Sequence, residues 1–417
     1  MRTWRFSSFY FFYFTTVGVL VPYWGLFLQS RGFNAKEIGQ LMAILLLTKL
    51  VAPNMWALLA DKMTSKKGSS VSLMKQAAFV TFVLYCLMFV VQSFWATAAV
   101  MFAFCMFWNA TLPQLEAATL NHLNERRDRY GQVRLWGSVG FIVMVQSLGL
   151  IMDQTGPAAI LPAGALALLT VFFASLLMVS SNNISQKPLA DKKPLASREP
   201  SANKKPLEIT DELQKATSTE SPISFINLID KNVIFLFGLC LFMQVSHAPW
   251  HTFFSIYLEG YGYSKSSIGA LWSVGVIFEI LVFIVGYRLL QTFRLASLLS
   301  FTFLIAAIRW VMVSTFPESG WLILLTQVMH SVTYGLYHSV MIKLIDRLFQ
   351  GNYQIRGQAL YSSITFGLGG AIGSFASGYI WAEHGQNQLF MVSGLMMFVV
   401  FIVSLVFSRR VIQNFSQ

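Results

Sequence analysis

The sequence predicts an all-α polytopic membrane protein with twelve transmembrane helices in two pseudo-symmetric six-helix halves. Three observations predict it. Of 417 residues, 55% are hydrophobic and 12% charged, against about 25% charged in soluble domains, and the mean hydropathy is +0.58. Apolar runs of the roughly 20 residues that cross a bilayer recur along the chain. A segment of the first half also returns in the second. Gly32-Phe-Asn-Ala-Lys-Glu-Ile38-Gly39 matches Gly262-Tyr-Ser-Lys-Ser-Ser-Ile268-Gly269 at a constant offset of 230, which also pairs Trp24 with Phe254 and Phe27 with Tyr257.

The spans follow in order. The run 6–28 is long, aromatic and lacks a small-residue cleavage site, so it is expected to remain as the first span. Run 38–60 is interrupted by Lys49, 72–92 follows a basic connection, 95–118 ends at Glu116, 133–153 opens on Arg134, and 157–180 carries no charge. In the second half, 232–258 holds His247 and His251, 266–286 holds Glu279, 294–315 holds Arg309 and 320–343 holds His330; 357–380 and 388–408 are uncharged. Residues 1–180 thus form an N-terminal half and 231–417 a C-terminal half. Between them, 181–230 repeats Lys-Pro-Leu at Lys187, Lys193 and Lys205 among Ser, Asn and Lys. That composition cannot bury a core and predicts a mobile cytoplasmic linker.

Net charge is +12, which in a soluble protein would suggest nucleic acid. Here the cations gather in loops on one side. Lys62, Lys66, Lys67, Lys75, Arg126, Arg127 and Arg129 lie there, with the linker and Arg288, Arg294, Lys343, Arg347, Arg356, Arg409 and Arg410; the opposite side carries Arg31, Lys36 and Lys265. The bias places both termini in the cytoplasm and removes the nucleic-acid reading. Cys86, Cys105 and Cys240 lie in apolar runs and read as small hydrophobes. The chain has no phosphate-cradling Gly-x-x-x-x-Gly-Lys-Ser/Thr loop, metal-ligand spacing or nucleophile elbow, so no cofactor, metal or enzyme activity is expected.

Six ionisable residues stand within the apolar runs: Lys49, Glu116, Arg134, Glu279, Arg309 and His330. Charges in the bilayer core are costly and usually face a wet cavity or the bundle interior, where they mark a substrate or ion path. Lys49 and Glu279 are related by the repeat offset, a cation opposite an anion. Lys49 lies too deep to snorkel easily; its ammonium suits a substrate carboxylate or a salt bridge to Glu279 or another acid.

Two motifs carry a family resemblance. Trp56-Ala-Leu-Leu-Ala-Asp61-Lys62-Met-Thr-Ser-Lys66-Lys67 resembles the loop signature of the major facilitator superfamily, which implies a gating role for Asp61 and Lys62. Ala57 replaces the usual glycine, and the second copy near Gly286–Arg294 lacks the acid. Tyr130-Gly131-Gln-Val-Arg134-Leu-Trp136-Gly137-Ser138, preceded by Glu116, resembles the branch containing lactose permease, nucleoside permeases and 3-phenylpropionate permeases. The likeness is nearest to the phenylpropionate permeases. Gly262–Gly275 with Glu279, the His247 stretch and Gln358-Ala-Leu-Tyr361-Ser support it.

The resemblance implies the major facilitator fold, with a site between the halves near the midplane. By likeness to lactose permease, Glu116 and Arg134 contact substrate, or form a fixed ion pair closing the cytoplasmic end. Glu279, Arg309 and His330 match its coupling residues, but its span-ten Lys is Gln327 here, the acid three residues after the His is Thr333, and span seven offers His247 and His251 instead of acids. Proton coupling is therefore expected at Glu279 with His330, Arg309 and His247, although each His is equally readable as a hydrogen-bonded core residue. Trp24, Trp136 and Trp272 lie beside the matched motifs and are expected to line the cavity. The implied function is proton-coupled uptake of a small aromatic carboxylate by a monomer in the bacterial inner membrane, with substrate, protons and lipid as its partners. The alternatives are a sugar or nucleoside permease, a sensor on a transporter scaffold, or an exporter of amphipathic compounds.

Overall fold

A proline breaks the first span. α1 (Trp4–Leu20) and α2 (Trp24–Ser30) meet at an angle of 42°. Pro22 between them has no N–H for the helical ladder, and its ring crowds the preceding turn. The computed structural model describes residues 3–64, 70–123, 126, 129–178 and 228–411, with side chains throughout these except at 53, 54, 57–64, 70, 121, 352, 355 and 407–411. The 181–227 part of the expected linker and the side chains of Asp61 and Lys62 lie outside the described residues.

The first half continues through α3 (Ala35–Thr64), α4 (Ser70–Cys86), α5 (Phe94–Leu123), α6 (Tyr130–Thr155) and α7 (Ile160–Leu176). The second comprises α8 (Lys231–Gly260), α9 (Lys265–Thr292), α10 (Leu295–Thr315), α11 (Gly320–His330), α12 (Tyr337–Leu348), α13 (Gln354–Ser362), α14 (Gly370–His384) and α15 (Gln386–Val411). π turns at Ser331–Leu336 and Ser363–Gly369 join α11 to α12 and α13 to α14 into continuous rods. No strand occurs among the described residues.

Nine helices among the described residues are long and apolar enough to span a bilayer, or ten when the bent α1–α2 pair is one span. The expected count was twelve. The two remaining expected spans fall on α3 and on the α11–α12 rod. α3 has 30 residues, about 45 Å at 1.5 Å per residue. Its Lys36, Glu37, Lys49, Asp61 and Lys62 lower its hydropathy, as His330, His338, Lys343, Asp346 and Arg347 do for the rod.

The repeat is visible as identical turns. Gly32 and Gly262 both adopt positive φ, 86° and 83°. At each, the glycine N–H returns to the carbonyl three residues back and the next N–H to the one five back. Only glycine takes that left-handed conformation at little cost. The following helices are capped alike, Asn34 with Glu37 and Ser264 with Ser267.

α1 packs on α6 and α7, and α10 on α15; across the halves, α3 packs on α14 and α6 on α9. Glycines permit the cross-half approach. A Cβ on Gly39 would lie 2.7 Å from the Ser374 carbonyl oxygen and 2.8 Å from the Gly378 Cα; one on Gly149 would lie 2.7 Å from the Lys265 carbonyl oxygen. The polar contacts tying the halves gather at the same end, near the Gly32 and Gly262 turns. Lys36 pairs with Glu383 at 2.9 Å, and Gln40 donates to the Tyr379 hydroxyl. The Asp153 carboxylate accepts from the backbone N–H of Lys265 and Ser266 at 2.7 and 3.2 Å, and the Tyr23 hydroxyl donates to the Lys265 carbonyl at 3.3 Å. Trp95 and Trp321, both about four-fifths exposed, start the helical stretches α5 and α11 and suit a membrane interface.

Candidate functional site

Lys49 marks the interior cleft. Its neighbours Leu45, Leu46, Thr48 and Ala52 are buried, yet Lys49 itself is solvent-accessible in the middle of α3. It lies within electrostatic reach of Cys105 on α5 and His251 on α8, so it points between the halves and not toward lipid. Thr48 beside it accepts from the Asn109 amide at 2.9 Å, fixing α3 against α5 at this level. The ammonium has no acidic partner within 4.0 Å among the described residues; their two ion pairs, Lys36–Glu383 and Lys265–Glu259, sit at the closed end.

Arg134 holds the second position. Its guanidinium stacks over Phe14 at 4.2 Å and stands 5.7 Å from the Tyr10 ring centroid, contacts of the cation–π class. Glu116, Glu279 and Tyr334 all lie within its electrostatic reach. The expected direct Glu116–Arg134 ion pair is not formed within 4.0 Å: the Tyr130 hydroxyl donates to Glu116 at 3.4 Å instead, and the aromatic platform holds the guanidinium. Glu279, half-buried, faces Arg134 across the halves and not its repeat mate Lys49. The Lys49–Glu279 pairing suggested by the offset is therefore replaced by Lys49 near His251 and Glu279 near Arg134. Gly335 in the π turn makes room for the acid: a Cβ there would lie 3.3 Å from Glu279 Cγ.

The third set is enclosed in the second half. Arg309 has no exposed surface. Its Nε donates to the Thr326 carbonyl at 2.8 Å and its Nη1 to Thr333 Oγ1 at 3.2 Å, with Trp310 4.2 Å and Trp250 5.2 Å from Cζ. His247 Nδ1 lies 2.8 Å from the Met243 carbonyl and Nε2 lies 3.2 Å from Thr333 Oγ1. A carbonyl only accepts, so a neutral His247 donates from Nδ1, and Nε2 accepts from the Thr333 hydroxyl. Thr333 thus links Arg309 to His247 where the family resemblance would place an acid. Around this group runs a column of rings: Trp272, Trp250, His330, Tyr334, His338 and Tyr361, with successive centroids 3.9, 4.4, 5.3, 6.4 and 5.9 Å apart.

The three tryptophans chosen from sequence do not line the cleft in this conformation. Trp24 is fully enclosed among Phe27, Tyr85 and Phe104. Trp136 is 50% exposed, but it shares the apolar outer stripe of Val139, Val143 and Leu150; two residues from Arg134 it points to the opposite side of α6. Trp272 is buried, with its indole N–H donated to Ser255 at 3.1 Å. Each lies beside a matched motif, and adjacency in sequence does not fix the face of a helix. Tyr130, Tyr334 and Asp153 were missed, and Thr333 was noted only as standing in place of an acid. A helical-face test anchored on Arg134 and Glu279 reaches Tyr130, four residues before Arg134; Tyr334 and Thr333 lie in a π turn, and Asp153 has no sequence signal.

Chemically, the described residues of the cleft offer a cation without an acidic partner, a cation flanked by two carboxylates from different halves, and a buried imidazole–guanidinium group. These suit binding of an organic anion and transfer of protons.

The comparisons with known proteins agree with this architecture. The family described as "MFS_1 like family" matches residues 3–392. The chain is 28% identical over 390 residues to the "Probable 3-phenylpropionic acid transporter" of Escherichia coli (strain K12), covering 92% of each. It is 24% identical to the "Maltose permease" of Geobacillus stearothermophilus over 97% of this chain and 94% of that one. Among solved structures, the nucleoside transporter NupG superposes with a TM-score of 0.77 at 14% identity, over 97% of this chain and 99% of that one, a likeness of fold. The chain therefore belongs to the MFS_1 like family and is a multi-pass membrane protein of major facilitator type.

Proposed function

We propose that this protein is a secondary active transporter, a proton symporter that imports a small aromatic carboxylate such as 3-phenylpropionate across the bacterial inner membrane. Lys49 carries the reading. A lysine in the middle of α3 that is solvent-accessible and has no acidic partner within 4.0 Å among the described residues is suited to a substrate carboxylate. The relative named for 3-phenylpropionic acid supports the same class. Arg134 lies between Glu116 and Glu279, and a proton on Glu279 frees Arg134 to turn toward Glu116. Glu279 is thus the proton carrier, and its half-buried setting makes its protonation responsive to closure of the cleft. The termini are cytoplasmic, and the closed end near Gly32 and Gly262 faces outward. Two halves of one chain rocking about a central site need no second subunit.

A second reading, a proton-coupled sugar or nucleoside permease, draws on Glu116 with Tyr130 and Arg134 as a polar set, and on the maltose permease relative. Proteoliposomes decide between them. Substrate-triggered proton uptake is measured with 3-phenylpropionate, maltose, a galactoside and a nucleoside side by side. The proposal expects a response to phenylpropionate alone. A response to a neutral solute alone rejects it in favour of the second reading.

A further inference from the structure

The enclosed guanidinium of Arg309 has a feature that proton coupling does not require. It has no exposed surface, and no acidic group among the described residues lies within 4.0 Å of it or reaches it electrostatically. Guanidinium does not deprotonate in proteins, and a buried charge is retained only where something compensates it. The protein supplies a carbonyl, a hydroxyl and two indole faces, all neutral. Four of the eleven buried side-chain polar atoms left unsatisfied among the described residues lie around the same group. Arg309 Nη2, Trp250 Nε1, His330 Nδ1 and Gln327 Oε1 are each buried without a hydrogen-bond partner among the described residues, on side chains no more than 4% exposed. Their side chains are neighbours: the Arg309 Cζ is 5.2 Å from Trp250, and Trp250 stacks on His330 at 4.4 Å. Gln327 lies one turn before His330, and both face Gly275, where a Cβ would meet His330 Cδ2 at 3.5 Å and Gln327 Oε1 at 3.9 Å. Two of the four are obligate donors, and His330 Nδ1 becomes a donor with the appropriate tautomer. The titratable groups facing Arg309 are His247 and His330, with His251 beyond Trp250, and none of these brings negative charge.

We propose that Arg309, Trp250 and His330 form a binding site for a small monovalent anion, filled by free halide or by the carboxylate of the transported solute, whose charge takes the place of an internal carboxylate. The inference concerns the enclosed second-half cluster and stands whether or not the solute is an aryl carboxylate.

Iodide titration of the purified protein, followed by tryptophan fluorescence, tests it. Lipid-facing tryptophans quench by collision, linearly in iodide. Trp250 and Trp310 flank the site and add a saturable phase that chloride reverses. Trp310→Phe reduces the amplitude of that phase and leaves its midpoint in place. Thr333→Glu places a carboxylate beside Arg309 and is expected to abolish the phase while the protein keeps its fold in halide-free buffer. Displacement of iodide by 3-phenylpropionate but not by acetate or methanesulfonate identifies the solute carboxylate as the occupant, and displacement by chloride alone identifies free halide. Purely linear quenching of the wild type, with no displacement by either, overturns the proposal, and a saturable phase that persists in Thr333→Glu overturns the role of Arg309. The quenching is read without transport, so its failure is distinct from failure of phenylpropionate uptake.

Discussion

Replacing Gly39 with alanine perturbs the closed end of the bundle and little else. The new methyl carbon would stand 2.7 Å from the Ser374 carbonyl oxygen, 2.8 Å from the Gly378 Cα and 2.9 Å from its nitrogen. All three are backbone atoms, so no side-chain rotation relieves the contact. Ordinary van der Waals contact begins at 3.4 Å, so α3 and α14 must part by about 0.7 Å, and overpacking of this kind costs about 1–3 kcal/mol. Alanine also favours a helix over glycine by about 1 kcal/mol, but that gain is common to every state in which α3 is helical and biases none of them. The methyl therefore acts on the closed end alone, shifting the balance between closed and open outer ends by about 5–150-fold. Spin labels on Gln29 and His384, both exposed near this end, report the separation by double electron–electron resonance. The long-distance population is expected to rise by that factor over wild type. Gly238→Ala is the control, because nothing lies within 4 Å of a Cβ there. A folded Gly39→Ala protein with the wild-type distance distribution would refute the view that close helix approach holds this end shut.

Further outcomes follow from the cleft. Lys49→Met is expected to raise the KM for an aryl carboxylate about 10–100-fold, the loss of about 1.4–2.8 kcal/mol of charge pairing at partly screened distance, with little change in maximal rate; uptake kinetics in proteoliposomes check it. Glu279→Gln is expected to abolish proton-driven accumulation and preserve solute exchange at equal concentrations on both sides, so a counterflow assay separates coupling from binding. Asp153→Asn weakens the acceptor for the Lys265 and Ser266 N–H groups and is expected to open the outer end in the same sense as Gly39→Ala, by a smaller amount because an amide oxygen still accepts; the same spin-label pair reads it.

Much of the bundle was legible in the sequence, because a membrane imposes length and hydropathy on each crossing. The matched Gly32 and Gly262 segments announced the repeat, and the structure returns them as the same turn. The site was legible in its residue types more than in its pairings. Lys49, Arg134, Glu279 and Arg309 all turn inward, as the cost of charge in lipid demands. The offset that pairs Lys49 with Glu279 describes positions in a duplicated chain; it does not bring the two side chains together across the cleft, where Glu279 meets Arg134. Trp24 and Trp136 show the other limit. Aromatic side chains are equally at home in a core, in lipid and in a cavity, so their identity gives no direction. Asp153 escaped notice because its partners are backbone N–H groups of another helix, which no side-chain pattern encodes.

The π turn at Ser331–Leu336 has a consequence for how this chain is compared with its relatives. A π turn advances by less rotation per residue than an α-helix, and a single turn of it amounts to one residue inserted into a regular helix. Residues 337–348 are therefore rotated by roughly 100°, the angle of one residue, from where an unbroken helix starting at Gly320 would carry them. An alignment without a gap can match residue types through this stretch and still assign His338 and Lys343 to the wrong faces. Relatives that lack the extra residue would keep His330 in register and present a different wall below it, so one insertion offers descendants of this fold a way to exchange half the lining of a cavity without altering the helices that enclose it.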